Sequence, residues 1–458
     1  MRDHTAAGKP EAEHRGGVMK GREQALADRL EAGTRPTIEL GERLRACPEA
    51  GFKEFRTGDI LEAELSALGL AVERGLAVTG IRASAGQADA PAIVILADMD
   101  ALATPGSPGG IAHSCGHSAQ MAACFGAFRA LVEEGIPEKE GIRLVFLGAP
   151  AEEYSDMDYR LRLRAEGKVR LFSGKQELIR LGAFDGALAV LKYHSMPDDP
   201  RRELTVNGTL NGFIAKRATF IGRPAHSGAC PERGINALNA AAIAQLAIHA
   251  QRETFRDEDH IRVHPILREG GLVVNTVPDR AVLETYVRGA SFDAILDASA
   301  KVDRAIAAGA VAVGASVRIE NLPGYQPFKP SPELGKILGR AALATLPEER
   351  LDFHDVSFAS DDIGDVASLA PTCQLGSSGF RGTIHGADFE PSDLDRAYAR
   401  PARILALTAL ELARDGAAAA KAAAAAFKPR FTKEEYIAAV EGLFSERTLA
   451  WDPSSAGK

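Results

Sequence analysis

The stretch Ala92-Ile93-Val94-Ile95-Leu96-Ala97-Asp98-Met99-Asp100 decides the fold. Its unbroken apolar run is short for a helix and reads as a strand buried on both faces, the kind found in parallel sheets covered by helices. The run ends in two carboxylates. Residues Ile142 to Leu147 largely repeat the pattern and are followed by Glu152-Glu153, and Leu188 to Tyr193 forms another strand that delivers His194. Between the first two strands Met121, Cys124, Phe125, Phe128, Leu131 and Val132 recur at helical spacing, with Ser118 placed to cap the first turn. Strands alternating with helices predict an α/β fold with a doubly wound, mostly parallel sheet, whose ligands gather at the carboxyl ends of the strands.

On the N-terminal side, helical spacing runs from about Gln24 to Ala46, interrupted by Pro36, and again from Thr57 to Leu68. From about Glu203 the pattern changes. Strands at Phe213 to Ile221, Ile261 to Leu267, Ala281 to Arg288 and Ser316 to Ile319 alternate with helices at Ile235 to Arg252 and Phe292 to Ala307, which predicts an inserted α+β unit. Several prolines between Pro323 and Pro332 punctuate the return to the first domain, where Thr372 to Leu375 is a short buried strand and Asp393 to Ala413 a periodic helix. The expected organisation is a flexible extension over 1–22, a discontinuous domain over 23–203 and 325–428, an insertion over 204–324 and a C-terminal tail over 429–458. Thr432-Lys433-Glu434-Glu435 in that tail has the form of a capping box.

With 458 residues, 45% of them hydrophobic, the chain has material for two cores. A net charge of -8 with interspersed signs offers neither a nucleic-acid footprint nor a polybasic membrane patch, so a small molecule is the expected partner. No run approaches the length of a membrane-spanning helix, and the polar first twenty residues lack the apolar core of a signal peptide. The five cysteines are too few and too scattered for a disulfide framework, which points to a reducing cytoplasm; Cys124, Cys230 and Cys373 read as buried thiols.

The chemistry concentrates in His113-Ser114-Cys115-Gly116-His117 and the carboxylates around it. A thiolate and an imidazole two residues apart, followed by adjacent carboxylates, suit zinc, manganese, iron or nickel. Taken singly, Cys115 would be a small buried hydrophobe, and His194 or His385 a core or loop histidine. In this order and near strand ends they read together as a metal site.

Ala97 to Leu102, His113 to His117, Pro150-Ala151-Glu152-Glu153, His194-Ser195-Met196-Pro197, Gly222-Arg223-Pro224-Ala225-His226 and the late His385 resemble the aminoacylase/carboxypeptidase family of metallohydrolases. Within it they are most similar to the amidohydrolase branch, which hydrolyses hippurate, indole-acetyl-amino acids and p-aminobenzoyl-glutamate. The resemblance runs from about Ala32 to Ala413. It implies one or two divalent ions, Mn2+ or Zn2+ first and Fe2+ or Ni2+ next, held by Cys115, His117, Glu153, His194 and His385. It also implies Glu152 as general base, Asp98 as a support that orients a ligand imidazole, and the insertion as a lid or dimerisation domain. From that domain His226 would stabilise the oxyanion, often across a homodimer, and Asn275 and Arg288 would hold a substrate carboxylate.

The sequence departs from the branch at two places. Where the branch has Asp and, two residues later, His, this chain has Ser118 and Gln120. After Glu153, the segment Tyr154 to Leu178 replaces a short glycine-rich link and brings Arg160, Arg162, Arg164, Lys168, Arg170 and Lys175. It reads either as a flap that selects an anionic substrate or as a solvated basic helix. Three activities follow as expectations: hydrolysis of the amide of an N-acyl or N-aroyl amino acid, release of ammonia from an aromatic amine of the 5-nitroanthranilate type, or a dimeric ligand-binding protein without turnover.

Overall fold

The computed structural model describes residues 21–450. The extension expected over 1–22 lies outside them, except for its last two positions, which open the helix Gly21–Ala32. Two compact units are present. Among the described residues, the first comprises 21–208 with Lys329–Asp355 and Leu369–Arg430, and the second comprises Thr209–Phe328, Val356–Ser368 and 431–450.

In the first unit the apolar runs form a nine-stranded sheet. Ala92–Asp98 lies between Arg143–Ala149 and Ala187–Pro197, parallel to both, and Thr372–Arg381 continues the parallel set beside Ala187–Pro197. Val72–Leu76 and Gly80–Ala85 extend one side antiparallel, and Leu204–Val206 extends the other. Alternation along the strands divides their side chains between two faces. Ile93, Ile95 and Ala97 join the core formed with the helices Thr34–Arg45, His117–Glu133 and Arg400–Ala426, where Phe146 meets Phe125 and Phe128 at ring-centroid distances of 6.1 and 5.8 Å. Asp98 and Lys192 fall on the alternate positions, and they meet there as an ion pair.

Several boundaries differ from expectation. The first helical run is two helices broken at Gly33, with Pro36 in the first turn of Thr34–Arg45. His194 lies inside the strand Ala187–Pro197, which is longer than its apolar stretch. Gly116, not Ser118, stands at the start of the helix His117–Glu133, at φ 78° and without a side-chain cap. A Cβ at this position would collide with Ser195 Oγ, which donates to Cys115 O at 2.6 Å. Only glycine combines that dihedral with that closeness.

The second unit is a six-stranded antiparallel sheet backed by the helices Ala237–Ala250 and Phe292–Val313, whose core includes Phe220, Ala241, Ala244, Val302 and Ile306. The alanines let the two helices approach closely. The expected tail is part of this unit. Thr432 and Glu435 do form the capping box of Lys433–Glu441, and Ser445–Leu449 then pairs with Ser316–Pro323 as an edge strand. Polar Ser445-Glu446-Arg447-Thr448 hides that strand from a reading based on hydrophobic pattern.

The segment after Glu153 is only partly solvated. It folds as the helices Met157–Ala165 and Gly174–Arg180, and residues 171–179 are buried without interruption.

Candidate metal centre

The carboxyl ends of the parallel strands deliver the proposed ligands of the first unit. Glu152 and Glu153 follow Arg143–Ala149, His194 comes late in Ala187–Pro197, and His385 sits in the loop after Thr372–Arg381. Cys115 and His117 flank Gly116 at the start of their helix. Three trios result, each with one candidate ligand atom per residue lying within 4.8 Å of the others: Cys115, His117 and His194; Cys115, Glu153 and His385; His117, Glu152 and Glu153. All five residues expected as ligands are therefore brought together, with Glu152 among them.

The histidine rings are held in a defined tautomer. Carbonyl oxygens only accept, so His117 Nδ1 donates to Asp100 O at 2.8 Å and His194 Nδ1 donates to Ser195 O at 2.8 Å. In the neutral form of each ring Nε2 is then the nitrogen without a proton, and it faces the cluster. Those nitrogens lie 3.7 Å from Glu152 Oε2 for His117 and 3.7 Å from Cys115 Sγ for His194, and His385 Nε2 is 3.4 Å from Glu153 Oε1. His385 adopts φ 68°, and its N–H is hooked to Ser114 O at 2.8 Å.

The residues fit a divalent cation. His117 Nε2 and Glu153 Oε1 are buried without a hydrogen-bond partner among the described residues, and the cluster combines one thiol, carboxylates and three imidazoles. Electrostatics agree. Burial opposes a charge on His117, yet the hydrogen bond to Asp100 and the negative charges of Asp100, Asp98 and Glu153 raise it to about 9. Burial likewise opposes ionisation of Glu153, but His385 and His117 hold it below the usual carboxylate range. So much concentrated anion calls for a positive partner.

Two carboxylates stand behind the candidate ligand ring. Asp98 is fully buried and paired with Lys175 and, at 2.6 Å, with Lys192, and its charge also acts on His117. The carboxylate beside the His117 ring is that of Asp100, at 3.3 Å from Nδ1. Asp100 also accepts from the main-chain N–H groups of Glu152 and Glu153 at 3.2 and 3.0 Å, so one side chain ties ligand ring and carboxylate turn together. Sequence reading passed over Asp100 and Lys192, although a lysine inside the apolar run Leu188 to Tyr193 is itself a sign of a buried anion.

The remaining predicted site residues lie on the second unit. His226 is exposed; its Nδ1 accepts from the N–H groups of Gly228 and Ala229 at 3.2 and 3.0 Å, which leaves the proton of the neutral ring on Nε2. Asn275 is exposed on the adjoining segment, where its carbonyl accepts from Ser227 N at 3.0 Å. Arg288 donates to Ser360 Oγ at 2.8 Å and lies over the rings of Phe213 and Tyr286. Burial pushes the Cys124 thiol up to about 12 and raises Cys373 as well, so both stay protonated, whereas Cys230 is only half-buried.

Comparison with known proteins agrees with this geometry. Residues 94–411 match the family described as Peptidase family M20/M25/M40. The chain belongs to this family and is a metal-dependent hydrolase of carbon–nitrogen bonds. It is 27% identical over 422 residues to Xaa-Arg dipeptidase of Mus musculus, covering 84% of this chain and 88% of that one. It is also 29% identical over 266 residues to N-acetyl-L-cysteine deacetylase of Bacillus subtilis, covering 55% and 58%. In fold it is similar to a dinuclear metal-binding peptidase of the M20 family from Bacillus subtilis, with a TM-score of 0.62 at 20% identity, over 83% of this chain and 99% of that one.

Proposed function

We propose that the protein hydrolyses the amide of an N-acyl or N-aroyl amino acid, with Glu152 as general base. The observation that carries this reading is the position of Glu152: its carboxylate is 3.7 Å from His117 Nε2 in the cluster, and its backbone is fixed by Asp100. Cys115, His117, Glu153, His194 and His385 would hold one or two divalent ions, Mn2+ or Zn2+ before Fe2+ or Ni2+. Bound there, the ion supplies Lewis acidity, lowering the pKa of a water and polarising the amide carbonyl. Glu152 takes the proton of the attacking water and hands it to the leaving nitrogen as the carbon–nitrogen bond breaks.

His226 donates from Nε2 to the oxyanion, while Asn275 and Arg288 receive the substrate carboxylate, as amide and guanidinium groups do. In this reading the second unit is the lid and the dimerisation element of a homodimer. The five free cysteines support a reducing, cytoplasmic setting.

The test is a screen of metal-loaded protein against aroyl-amino acids, acyl-amino acids, dipeptides and amino-nitroaromatic acids. A free amino acid as product supports the amide reading; ammonia with a single aromatic product would replace it by the aromatic aminohydrolase. Glu152→Gln is expected to keep its metal and to lose activity by two to four orders of magnitude, on the order of what general-base removal costs. Unchanged turnover in that variant would remove Glu152 from the mechanism.

A further inference from the structure

The basic residues of the segment after Glu153 differ in burial, with Arg164 half-buried. Arg162, Lys168 and Arg170 are exposed, whereas Arg160 and Lys175 are buried, at 2% and 0% exposure. A guanidinium keeps its proton, so a buried one must find acceptors. Arg160 finds them on the main chain of the catalytic turn. Its Nε donates to Ser155 O at 2.8 Å, and its terminal nitrogens donate to the carbonyls of Glu153 and Phe172 and, at 3.4 Å, to that of Ala151. The cation lies between the rings of Phe52 and Tyr154, 5.2 Å from each centroid. One side chain therefore binds the carbonyls on both sides of Glu152.

Two further contacts hold the same turn. Gly174, at the start of the helix Gly174–Arg180, packs so tightly on Pro150 that a Cβ would collide with Pro150 O. The next residue, Lys175, pairs with Asp98 at the end of the central strand. Ala151, between Pro150 and Glu152, adopts φ 54°, a conformation that a non-glycine residue keeps only when its surroundings impose it.

We propose that the segment is a brace for the Glu152–Glu153 turn, with Arg160 as its positioning residue, and not a surface that captures substrate. The inference rests on the metallohydrolase reading of the same site. Without the guanidinium, the carbonyls of Ala151, Glu153, Ser155 and Phe172 lose their shared donor, and the two carboxylates lose the backbone that fixes them.

The experiment measures Mn2+ affinity by calorimetry for the full chain and for Arg160→Lys, Arg160→Gln and Lys168→Ala, with circular dichroism and thermal melts as folding controls. Steady-state kinetics use the amide cleaved fastest in the screen above. Arg160→Gln is expected to fold, to bind Mn2+ about tenfold or more weakly, in the range seen when supports of metal ligands are removed, and to lose kcat with KM little changed. Arg160→Lys, which keeps the charge but reaches fewer carbonyls, should retain part of the affinity. Lys168→Ala should match the unaltered chain throughout.

Folded Arg160 variants with unaltered Mn2+ affinity and kcat would overturn the brace, as would a raised KM confined to Lys168→Ala, which is the signature of a substrate flap. If neither Arg160 variant folds, the residue serves the core and the local role is wrong. An unaltered chain that binds no Mn2+ would instead defeat the metallohydrolase reading itself.

Discussion

His117 shows how a single ring is caught between opposed demands. Buried with Asp100 and Glu153 nearby, it holds a proton up to about 9 when no other cation is present, against an ordinary value of 6.5. The sign follows from linkage. In metal-free protein this proton affinity stabilises the folded state fully below about 6.5, and the contribution disappears as pH rises through about 9. Metal binding needs the ring neutral, so loading at pH 7 is expected to expel a proton, and apparent affinity is expected to rise with pH up to about 9. Calorimetry in two buffers of different ionisation enthalpy counts that proton, and a count of zero at pH 7 contradicts the assignment. At this scale the candidate cluster was legible because thiolate, imidazole and carboxylate come in a distinctive order. Asp100 was not, because in Asp98-Met99-Asp100 both acids look alike, and only the structure shows that Lys175 and Lys192 engage the first.

At the scale of elements, apolar runs predicted the central strands well, since burial on both faces leaves an unbroken signature. They underestimated Ala187–Pro197, where the polar end residues serve the site and not the core, and they missed Ser445–Leu449, an edge strand with little to bury. In the segment after Glu153 the burial of two basic residues was not legible for a related reason. Charge in a sequence suggests solvent, but Arg160 and Lys175 are buried because they have partners on the polypeptide itself. The start of the helix His117–Glu133 gives a prediction at this scale. Gly116→Ala places a methyl group against Ser195 Oγ at φ 78°, and is expected to cost about 1–3 kcal/mol. Denaturant unfolding measures it; an unchanged midpoint would mean that the turn relaxes freely.

For the whole molecule, each unit is assembled from separated stretches of chain. The first closes only with Lys329–Asp355 and Leu369–Arg430, and the second takes back Val356–Ser368 and, among the described residues, 431–450. The sequence showed one insertion but not these later exchanges, because short returning segments carry no periodicity of their own. If the first unit holds an ion, removing it should destabilise that unit. Metal at a hundred times its dissociation constant adds about 2.7 kcal/mol. Chelation followed by scanning calorimetry is expected to lower one transition and leave a second, belonging to the other unit, in place. A profile indifferent to the chelator would show that the cluster stores no such binding energy.

The hook from His385 to Ser114 joins positions 271 peptide bonds apart along the chain, taking 385 − 114. During translation the N-terminal half emerges first, with Cys115 and His117 in hand but without the loop that completes the cluster. A nascent chain on the ribosome thus lacks the full donor set until His385 has been made, and a product truncated before it would be left without that side chain.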